Sequence, residues 1–110
     1  MVVLVFDPDL LFSSKVAGAV KRVSLDCKVI STLSDLVSAT PTNSQAVILN
    51  LDVFGQRYEL LDKFSEHGTK LLGYYSHVNV EVDKLAKSKG IISFPRGVFI
   101  SKLEEVLSGT

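Results

Sequence analysis

Five short apolar segments recur along the chain at fairly even spacing, and their residues do not alternate with polar ones. They are rich in valine, isoleucine, leucine and aromatic residues, and they span residues 2–6, 28–31, 46–51, 70–75 and 91–94. Continuous apolar runs of this length are typical of strands covered on both faces, as in a parallel sheet flanked by helices. The pattern therefore predicts five buried strands.

The segments between these runs have the hydrophobic spacing of amphipathic helices. In the fourth segment, one helical face would carry the residues at positions i, i+4, i+7 and i+8, namely Val78, Val82, Leu85 and Ala86. Similar spacing predicts helices in four further segments, at residues 10–24, 33–40, 56–67 and 98–107. The helix at 33–40 has a short apolar face, and Pro41 soon ends it.

Three residues mark where these helices begin and end. Asn79 is suited to cap the N-terminus of the fourth helix, because its side chain accepts a hydrogen bond from a free backbone N–H. Gly68 and Gly90 stand where a residue with left-handed backbone geometry would close a helix.

Strand and helix thus alternate five times along the sequence. Successive parallel strands need a crossover, and such crossovers are almost always right-handed. The simplest architecture is an α/β flavodoxin-like three-layer sandwich with a five-stranded parallel sheet in the order 2-1-3-4-5. We expect residues 1–110 to form one such domain, because this length is close to the commonest domain size.

The composition of the chain indicates which kinds of partner it can bind and in which compartment it is expected. Twelve basic residues balance twelve acidic ones, so the chain lacks the surplus of Lys and Arg that a nucleic-acid-binding surface needs. The single cysteine, Cys27, cannot form an internal disulfide. No apolar run approaches the roughly 18 residues of a membrane helix, and the N-terminus has no signal-peptide pattern. These features predict a cytoplasmic protein that binds neither nucleic acid nor membrane.

Polar side chains are concentrated directly after four of the predicted strands. They occur in the segments 7–9 (DPD), 50–52 (NLD), 75–78 (YSHV) and 94–97 (FPRG). Ligands of open parallel sheets bind at the carboxyl ends of the strands, where these segments should meet. The candidate crevice therefore contains Asp7, Asp9, Asn50, Asp52, Ser76, His77 and Arg96.

The motifs of several common active sites do not occur in this sequence. It contains no G-x-G-x-x-G, no G-x-x-x-x-G-K-[ST] and no G-x-S-x-G. One cysteine and two histidines at unsuitable spacing make a poor zinc site. We therefore expect a protein without enzymatic activity or a resident cofactor.

With this alternation, length and layout, the chain resembles the receiver domains of two-component response regulators. The resemblance implies an acidic pair after the first strand, a phospho-accepting Asp after the third, a Ser or Thr after the fourth and a Lys-Pro after the fifth. In such a domain the acidic residues hold a divalent metal, and the metal and Lys neutralise the phosphoryl oxygens.

Carried over by position, this pattern is broken at the acidic residues. Asp7 stands where the acidic pair starts, but Pro8 takes its second place and Asp9 comes one residue late. Asn50 stands at the place of the phospho-accepting Asp. Because an amide has no anionic oxygen to attack phosphorus, phosphorylation at that position is chemically excluded.

The remaining two positions of the pattern each leave a choice of alignment. The Ser/Thr position falls on Tyr75 or on Ser76, and the Lys position falls on Phe94 or on Arg96. Small receiver-like proteins carry a segment similar to GYYSHV at 73–78, which supports the fold but assigns no mechanism.

These observations favour a degenerate receiver, or pseudo-receiver, that acts as a protein-interaction module in signalling. The resemblance implies a homodimer or another protein as partner, with contacts through residues 80–89 and 98–107. One alternative is a small-ligand or anion sensor that uses the crevice formed by Asp7, Asn50, Ser76, His77 and Arg96. Another is a phospho-accepting receiver in which Asp52 replaces the usual acceptor, since a shift of two residues keeps the same strand face.

Several candidate residues also have structural interpretations. Asp7 and Asp9 could bind Mg²⁺ weakly, but a turn with Asp9 as helix cap is the favoured interpretation. Arg96 could bind an anion, although a surface salt bridge is the simpler role. Asp52 is expected to be a turn acid or helix cap, and His77 a loop residue rather than a ligand contact.

Two tyrosines and one histidine near the ends of predicted elements also have expected positions. Tyr74 and Tyr75 cannot both face outward, because adjacent strand residues point to opposite faces, so one is expected in the core. His67 precedes Gly68 at a predicted helix end and is expected to be structural.

Overall fold

The computed structural model describes residues 2–55, 57–76 and 80–108 and contains a five-stranded parallel sheet. The strands are β1 (Val2–Phe6), β2 (Asp26–Ile30), β3 (Ser44–Asn50), β4 (Lys70–Tyr75) and β5 (Ile92–Pro95). Their order is β2-β1-β3-β4-β5, and every neighbouring pair is parallel. This confirms the fold class and strand order predicted from the sequence, with the ends of β2, β3 and β5 displaced by one or two residues. The prediction that all five strands are buried is wrong for β2, because this edge strand buries only Ile30.

Helices follow the strands, although not always with the predicted length. They are α1 (Leu10–Arg22), α2 (Leu33–Ser38), α3 (Leu51–Phe54), α4 (Asp62–Glu66), α5 (Val80–Ser88) and α6 (Arg96–Leu107). Short 3-10 turns lie at Pro41–Asn43 and Tyr58–Leu61. No helix within the described ranges is long and apolar enough to cross a membrane.

The helix predicted over 56–67 forms as two contiguous pieces of different geometry. Gly55 has a positive φ of 79° after α3, and a 3-10 turn at Tyr58–Leu61 precedes the short helix α4. The apolar residues of this segment still face the core, because Tyr58, Leu61 and Phe64 are all buried. Periodicity therefore predicted which residues are buried but not that the helix is divided.

The two faces of the sheet are covered by different helices. Val3 and Val5 of β1 belong to a core cluster with residues of α1 and α6, whereas Leu4 and Phe6 belong to a cluster with residues of α2, α3, α4 and α5. This alternation follows from the pleat of a strand, which points successive side chains to opposite faces. The result is the predicted three-layer arrangement.

Because helices cover both faces of the sheet, one expectation about the tyrosines of β4 is not met. Tyr74 packs in the α1 and α6 cluster, and Tyr75 packs in the cluster on the opposite face. Both tyrosines are therefore buried, rather than one of them alone.

Helix ends follow the predicted chemistry where they are described. Gly68 and Gly90 have φ values of 75° and 81° after α4 and α5, as expected for glycines that close helices. The predicted cap Asn79 lies outside the described residues.

Candidate functional site

A row of polar side chains crosses the sheet at the carboxyl ends of its strands. In the register of the sheet Phe6 pairs with Leu49 and Asn50 pairs with Tyr74, so Asp7 lies beside Asn50. Strand alternation places the side chains of Asp7, Asn50 and Tyr74 on the face covered by α1 and α6. The register therefore places the side chains of Asp7 and Asn50 next to each other, at the edge where the sequence analysis expected them to meet.

Asp7 is fully buried, and both of its carboxylate oxygens accept hydrogen bonds. Oδ1 accepts from the Asn50 amide Nδ2 at 3.0 Å and from the backbone N–H of Asp9 at 2.9 Å. Oδ2 accepts from the hydroxyl of Tyr74. We refer to Asp7, Asn50 and Tyr74 as the Asp7 centre.

Asn50 uses both ends of its side-chain amide. While Nδ2 donates to Asp7, Oδ1 accepts from the backbone N–H of Asp52 at 3.1 Å and caps the short helix α3. These two partners fix the orientation of the amide. With only 2% of its surface exposed, Asn50 is a buried structural link between β1, β3 and α3.

Asp9 begins α1 and faces Arg96 of α6. Its Oδ1 accepts from the backbone N–H groups of Leu11 and Phe12 at 3.0 and 3.3 Å, which confirms the predicted helix cap. Its Oδ2 lies 3.6 Å from Nη1 of Arg96, the salt bridge that the sequence analysis preferred for this arginine.

Arg96 also covers the aromatic side chains beside the Asp7 centre. Its guanidinium carbon lies 4.7 Å from the ring centroid of Phe12 and 5.7 Å from that of Tyr74. The rings of Phe12 and Tyr74 are themselves in contact, with centroids 4.7 Å apart. Cation–π contacts of this kind hold the Tyr74 ring in place from above.

Tyr74 remains a hydrogen-bond donor over a wide range of pH. Burial raises the pKa of Tyr74 far above its ordinary value of 10.0, and the hydrogen bond to Asp7 raises it further. The charge of Arg96 opposes this rise but does not cancel it. The sequence analysis did not assign this role to Tyr74, because it depends on the register of β4 against β3.

Asp52 and Ser76 meet on the other side of Asn50. Oδ2 of Asp52 accepts from the backbone N–H of Ser76 at 2.7 Å, which connects the first turn of α3 to the end of β4. Beside them lies an open groove of about 680 Å³. It is lined by Asp52, Ser76, Pro95, Arg96, Gly97 and Val98.

The structure thus separates the candidate residues into two groups. Asp7 and Asn50 are buried, while Asp9 and Asp52 are exposed and Ser76 and Arg96 are partly exposed. His77 lies outside the described residues. A ligand in the groove can contact Asp52, Ser76 and Arg96, but it cannot reach Asp7 unless the hydrogen bonds of the Asp7 centre open.

The residues after β1 do not fit the divalent cation that a receiver domain holds. Magnesium prefers several oxygen ligands with room for water, yet both oxygens of Asp7 already accept protein donors. The side chain of Pro8 offers no ligand atom, and Asn50 presents its NH₂ group to Asp7. Within residues 2–55, 57–76 and 80–108, no cluster of three His, Cys, Asp or Glu side chains is suited to a metal.

A second polar network joins α5 to the sheet on the opposite face. Asp83 accepts from the hydroxyl of Ser93 at 2.7 Å and from Nζ of Lys87 at 2.9 Å. Burial tends to raise the pKa of Asp83, but its hydrogen bonds, including one from Tyr75, lower it overall. The sequence analysis missed this network, because no motif relates residues on α5, β4 and β5.

Comparisons with known proteins identify the fold. The structure superposes with TM-score 0.67 on a response regulator receiver protein from Burkholderia phymatum, which is 20% identical; the match covers 97% of this chain and 94% of that one. It also superposes with TM-score 0.67 on an atypical orphan response regulator, 15% identical, with 100% of this chain and 98% of that chain covered.

Sequence comparisons add no closer relationship. No protein-family model matches the sequence, and no curated protein gives a significant match. At these identities the structural matches show that the chain has the receiver fold.

Proposed function

We propose that this chain is a non-catalytic, receiver-like signalling module of the cytoplasm that acts through protein contacts without phosphorylation at position 50. The observation that carries the proposal is the buried hydrogen bond from the Asn50 amide to Asp7. Both ends of that amide have protein partners, so the side chain at the usual acceptor position serves the fold rather than chemistry.

The chemistry of an amide supports this proposal. Phosphoryl transfer needs an attacking oxygen with a free lone pair aimed at phosphorus and positive charge on the phosphoryl oxygens. Asn50 supplies no such nucleophile. Arg96, which lies over Tyr74, forms an ion pair with Asp9 and packs on two aromatic rings.

One structural neighbour offers a precedent for signalling without phosphorylation. The atypical orphan response regulator is described as having a new phosphorylation-independent regulatory mechanism. That mechanism belongs to the other protein. At 15% identity it supports only the general idea that a receiver-fold protein can act without phosphorylation.

The surface formed by α5, β5 and α6 is the proposed contact region. It exposes apolar side chains at Val80, Ile92 and Val98. Each helix also exposes charges of both signs, Glu81 and Lys84 on α5 and Lys102 and Glu105 on α6. A surface with both signs of charge around apolar residues can pair with a second copy of itself about a two-fold axis.

Sedimentation velocity over a wide concentration range tests the homodimer. We expect a concentration-dependent dimer that Ile92→Glu weakens, because Ile92 lies on the exposed edge of β5. Val29→Glu is the matched control, since Val29 lies on the opposite edge strand β2 with similar exposure, 39% against 37%. A strict monomer at high concentration would exclude the homodimer and leave a different protein as the partner.

The groove beside Arg96 supports a second candidate function, the binding of a small ligand or anion. It is open, and it combines the guanidinium of Arg96 with the polar residues Ser76 and Asp52. Thermal shift assays with phosphate, nucleotides and divalent ions test this candidate, with Arg96→Ala as control. A shift in the wild type that Arg96→Ala abolishes would support it, and no shift with any compound would exclude it.

A further inference from the structure

The carboxylate of Asp7 is buried and has no contact with bulk water. Asp7 has no exposed surface, and a buried carboxylate is costly unless protein donors replace its water. The two Asp7 oxygens receive three such donors, from the Asp9 backbone, the Asn50 amide and the Tyr74 hydroxyl. The described residues leave no buried side-chain nitrogen or oxygen without a hydrogen-bond partner.

The three residues of the Asp7 centre come from three neighbouring strands of the sheet. Asp7 follows β1, Asn50 ends β3 and Tyr74 lies near the end of β4, so the Asp7 centre joins neighbouring strand ends across the sheet. A divalent cation bound at Asp7 would likewise bring oxygen ligands from neighbouring chain segments together. Here hydrogen-bond donors converge on Asp7 instead.

The Tyr74 donor is itself held in place. Its ring contacts Phe12 of α1 and Phe99 of α6, with centroids 4.7 and 4.9 Å apart, and Arg96 lies over it. The hydroxyl is therefore directed at Asp7 by packing from two helices. Because the ring is held on both sides, its hydroxyl stays in position to donate to Asp7.

We propose that the Asn50 amide and the Tyr74 hydroxyl together take the place of a divalent cation at Asp7. They hold the carboxyl ends of β1, β3 and β4 in one arrangement whether or not such cations are present. The wild-type chain is then insensitive to magnesium, and the identity of residue 50 determines that insensitivity. The inference concerns the same centre as the proposed function but does not depend on any protein partner.

Thermal unfolding followed by circular dichroism, with MgCl₂ against NaCl of equal ionic strength, tests this proposal. We expect no magnesium-specific shift in the wild type. Asn50→Asp puts a second carboxylate beside Asp7, so its melting temperature in EDTA should fall by roughly 5–15 °C. Magnesium should then restore part of that loss, because two facing carboxylates form a cation site.

The control for this substitution is Asn43→Asp. Asn43 is exposed in a 3-10 turn, so the same chemical change there should leave both the melting temperature and the magnesium response unchanged. A magnesium-specific stabilisation of the wild type would overturn the proposal. An Asn50→Asp variant that responds to magnesium no more than Asn43→Asp would overturn it equally.

If Asn50→Asp does not fold in either buffer, Tyr74→Phe decides the question. This change removes only the hydroxyl donor, and we expect a lower melting temperature than in Tyr58→Phe, where the tyrosine lies in the opposite core cluster. Equal melting temperatures for the two variants would show that the Tyr74 hydroxyl does not stabilise Asp7. Neither result depends on partner binding. The proposed function is therefore tested independently, by the sedimentation experiment.

Discussion

The amide nitrogen of Asn50 lies 3.0 Å from Oδ1 of Asp7, and this buried hydrogen bond connects the ends of β3 and β1. The two residues are 43 positions apart in the chain, yet they are neighbours in the row that crosses the sheet. An acidic residue at position 50 would repel Asp7 unless a cation or a proton lay between them. The amide removes that repulsion and adds a donor.

The first prediction concerns alkaline pH. Burial and the hydrogen bond to Asp7 raise the pKa of Tyr74 in the folded chain, so the folded state favours the protonated phenol. The resulting stability is complete below the ordinary tyrosine pKa of 10.0 and decreases as the pH rises above it. Urea unfolding between pH 8 and about 11 should show this decrease, and Tyr74→Phe should make it smaller.

The absorbance of tyrosinate provides the check on this prediction. We expect Tyr74 to ionise only when the chain unfolds, since its hydroxyl is buried against a carboxylate. A reversible titration of every tyrosine near pH 10 in the folded protein would contradict the described environment of Tyr74.

The second prediction separates the two roles of Asp9. Asp9→Ala removes the cap of α1 and the ion pair with Arg96, and should lower the free energy of unfolding by about 1–2 kcal/mol. Asp9→Asn keeps a capping oxygen and removes only the charge, so it should cost less than about 1 kcal/mol. Equal losses in urea denaturation would show that the ion pair, and not the cap, stabilises this end of α1.

Sequence patterns predicted the three inner strands well because burial on both faces leaves a strong signal, whereas the edge strands β2 and β5 are partly exposed. The five apolar runs correspond to β1–β5, and the polar segments after them meet at one edge, with Asn50 against Asp7. The predicted cap at Asp9 is confirmed because it depends on local chemistry, and Arg96 forms the predicted salt bridge, although its partner Asp9 is distant in the chain. The ligand-binding roles of Asp52, Ser76, His77 and Arg96 remain predictions.

The features that sequence did not predict depend on packing between distant segments. The donor role of Tyr74 requires the strand register and the support of Phe12 and Phe99 together. The division of 56–67 into a 3-10 turn and α4 was also not predicted, because periodicity records which positions are buried and not which type of helix they form. The Asp83 network likewise joins residues whose side chains meet only in the folded chain.

The third prediction concerns the close approach of β4 to α3. A Cβ atom at Gly73 would lie 2.7 Å from Cδ1 and Cγ of Leu51, which is itself buried. Gly73→Ala should therefore cost about 1–3 kcal/mol of unfolding free energy through overpacking next to Asn50. Chemical denaturation measures the change directly.

Gly97→Ala is the matched control for this substitution. A Cβ atom at Gly97 meets nothing within 4 Å, and alanine favours the helix α6 more than glycine does. We expect Gly97→Ala to be neutral or stabilising. A Gly73→Ala variant as stable as Gly97→Ala would contradict the packing described between Leu51 and β4.

The fourth prediction concerns the attachment of α5 to the sheet. Asp83→Ala leaves the hydroxyl of Ser93, whose residue is 2% exposed, without its acceptor, and should cost about 1–3 kcal/mol. Glu81→Ala, at an exposed position on the same helix, should cost much less. Equal effects of the two substitutions would show that the Asp83 network does not hold α5.

The pKa of Asp83 gives this prediction a second measurement. Because the folded chain lowers that pKa, the stability from Asp83 is present above its ordinary value of 3.8 and is lost as the pH falls through the folded value. Asp83→Asn should therefore flatten the stability curve in acid. An acid profile unchanged by Asp83→Asn would contradict the described hydrogen bonds.

The central claim, that this receiver-fold chain is not phosphorylated because an amide occupies position 50, is tested most directly by intact mass spectrometry after incubation with acetyl phosphate and magnesium. Asp52→Asn is measured in parallel, because Asp52 is the alternative acceptor. The account predicts no added phosphoryl group on either protein. A phosphoryl adduct on the wild type that disappears in Asp52→Asn would contradict it and identify Asp52 as the acceptor.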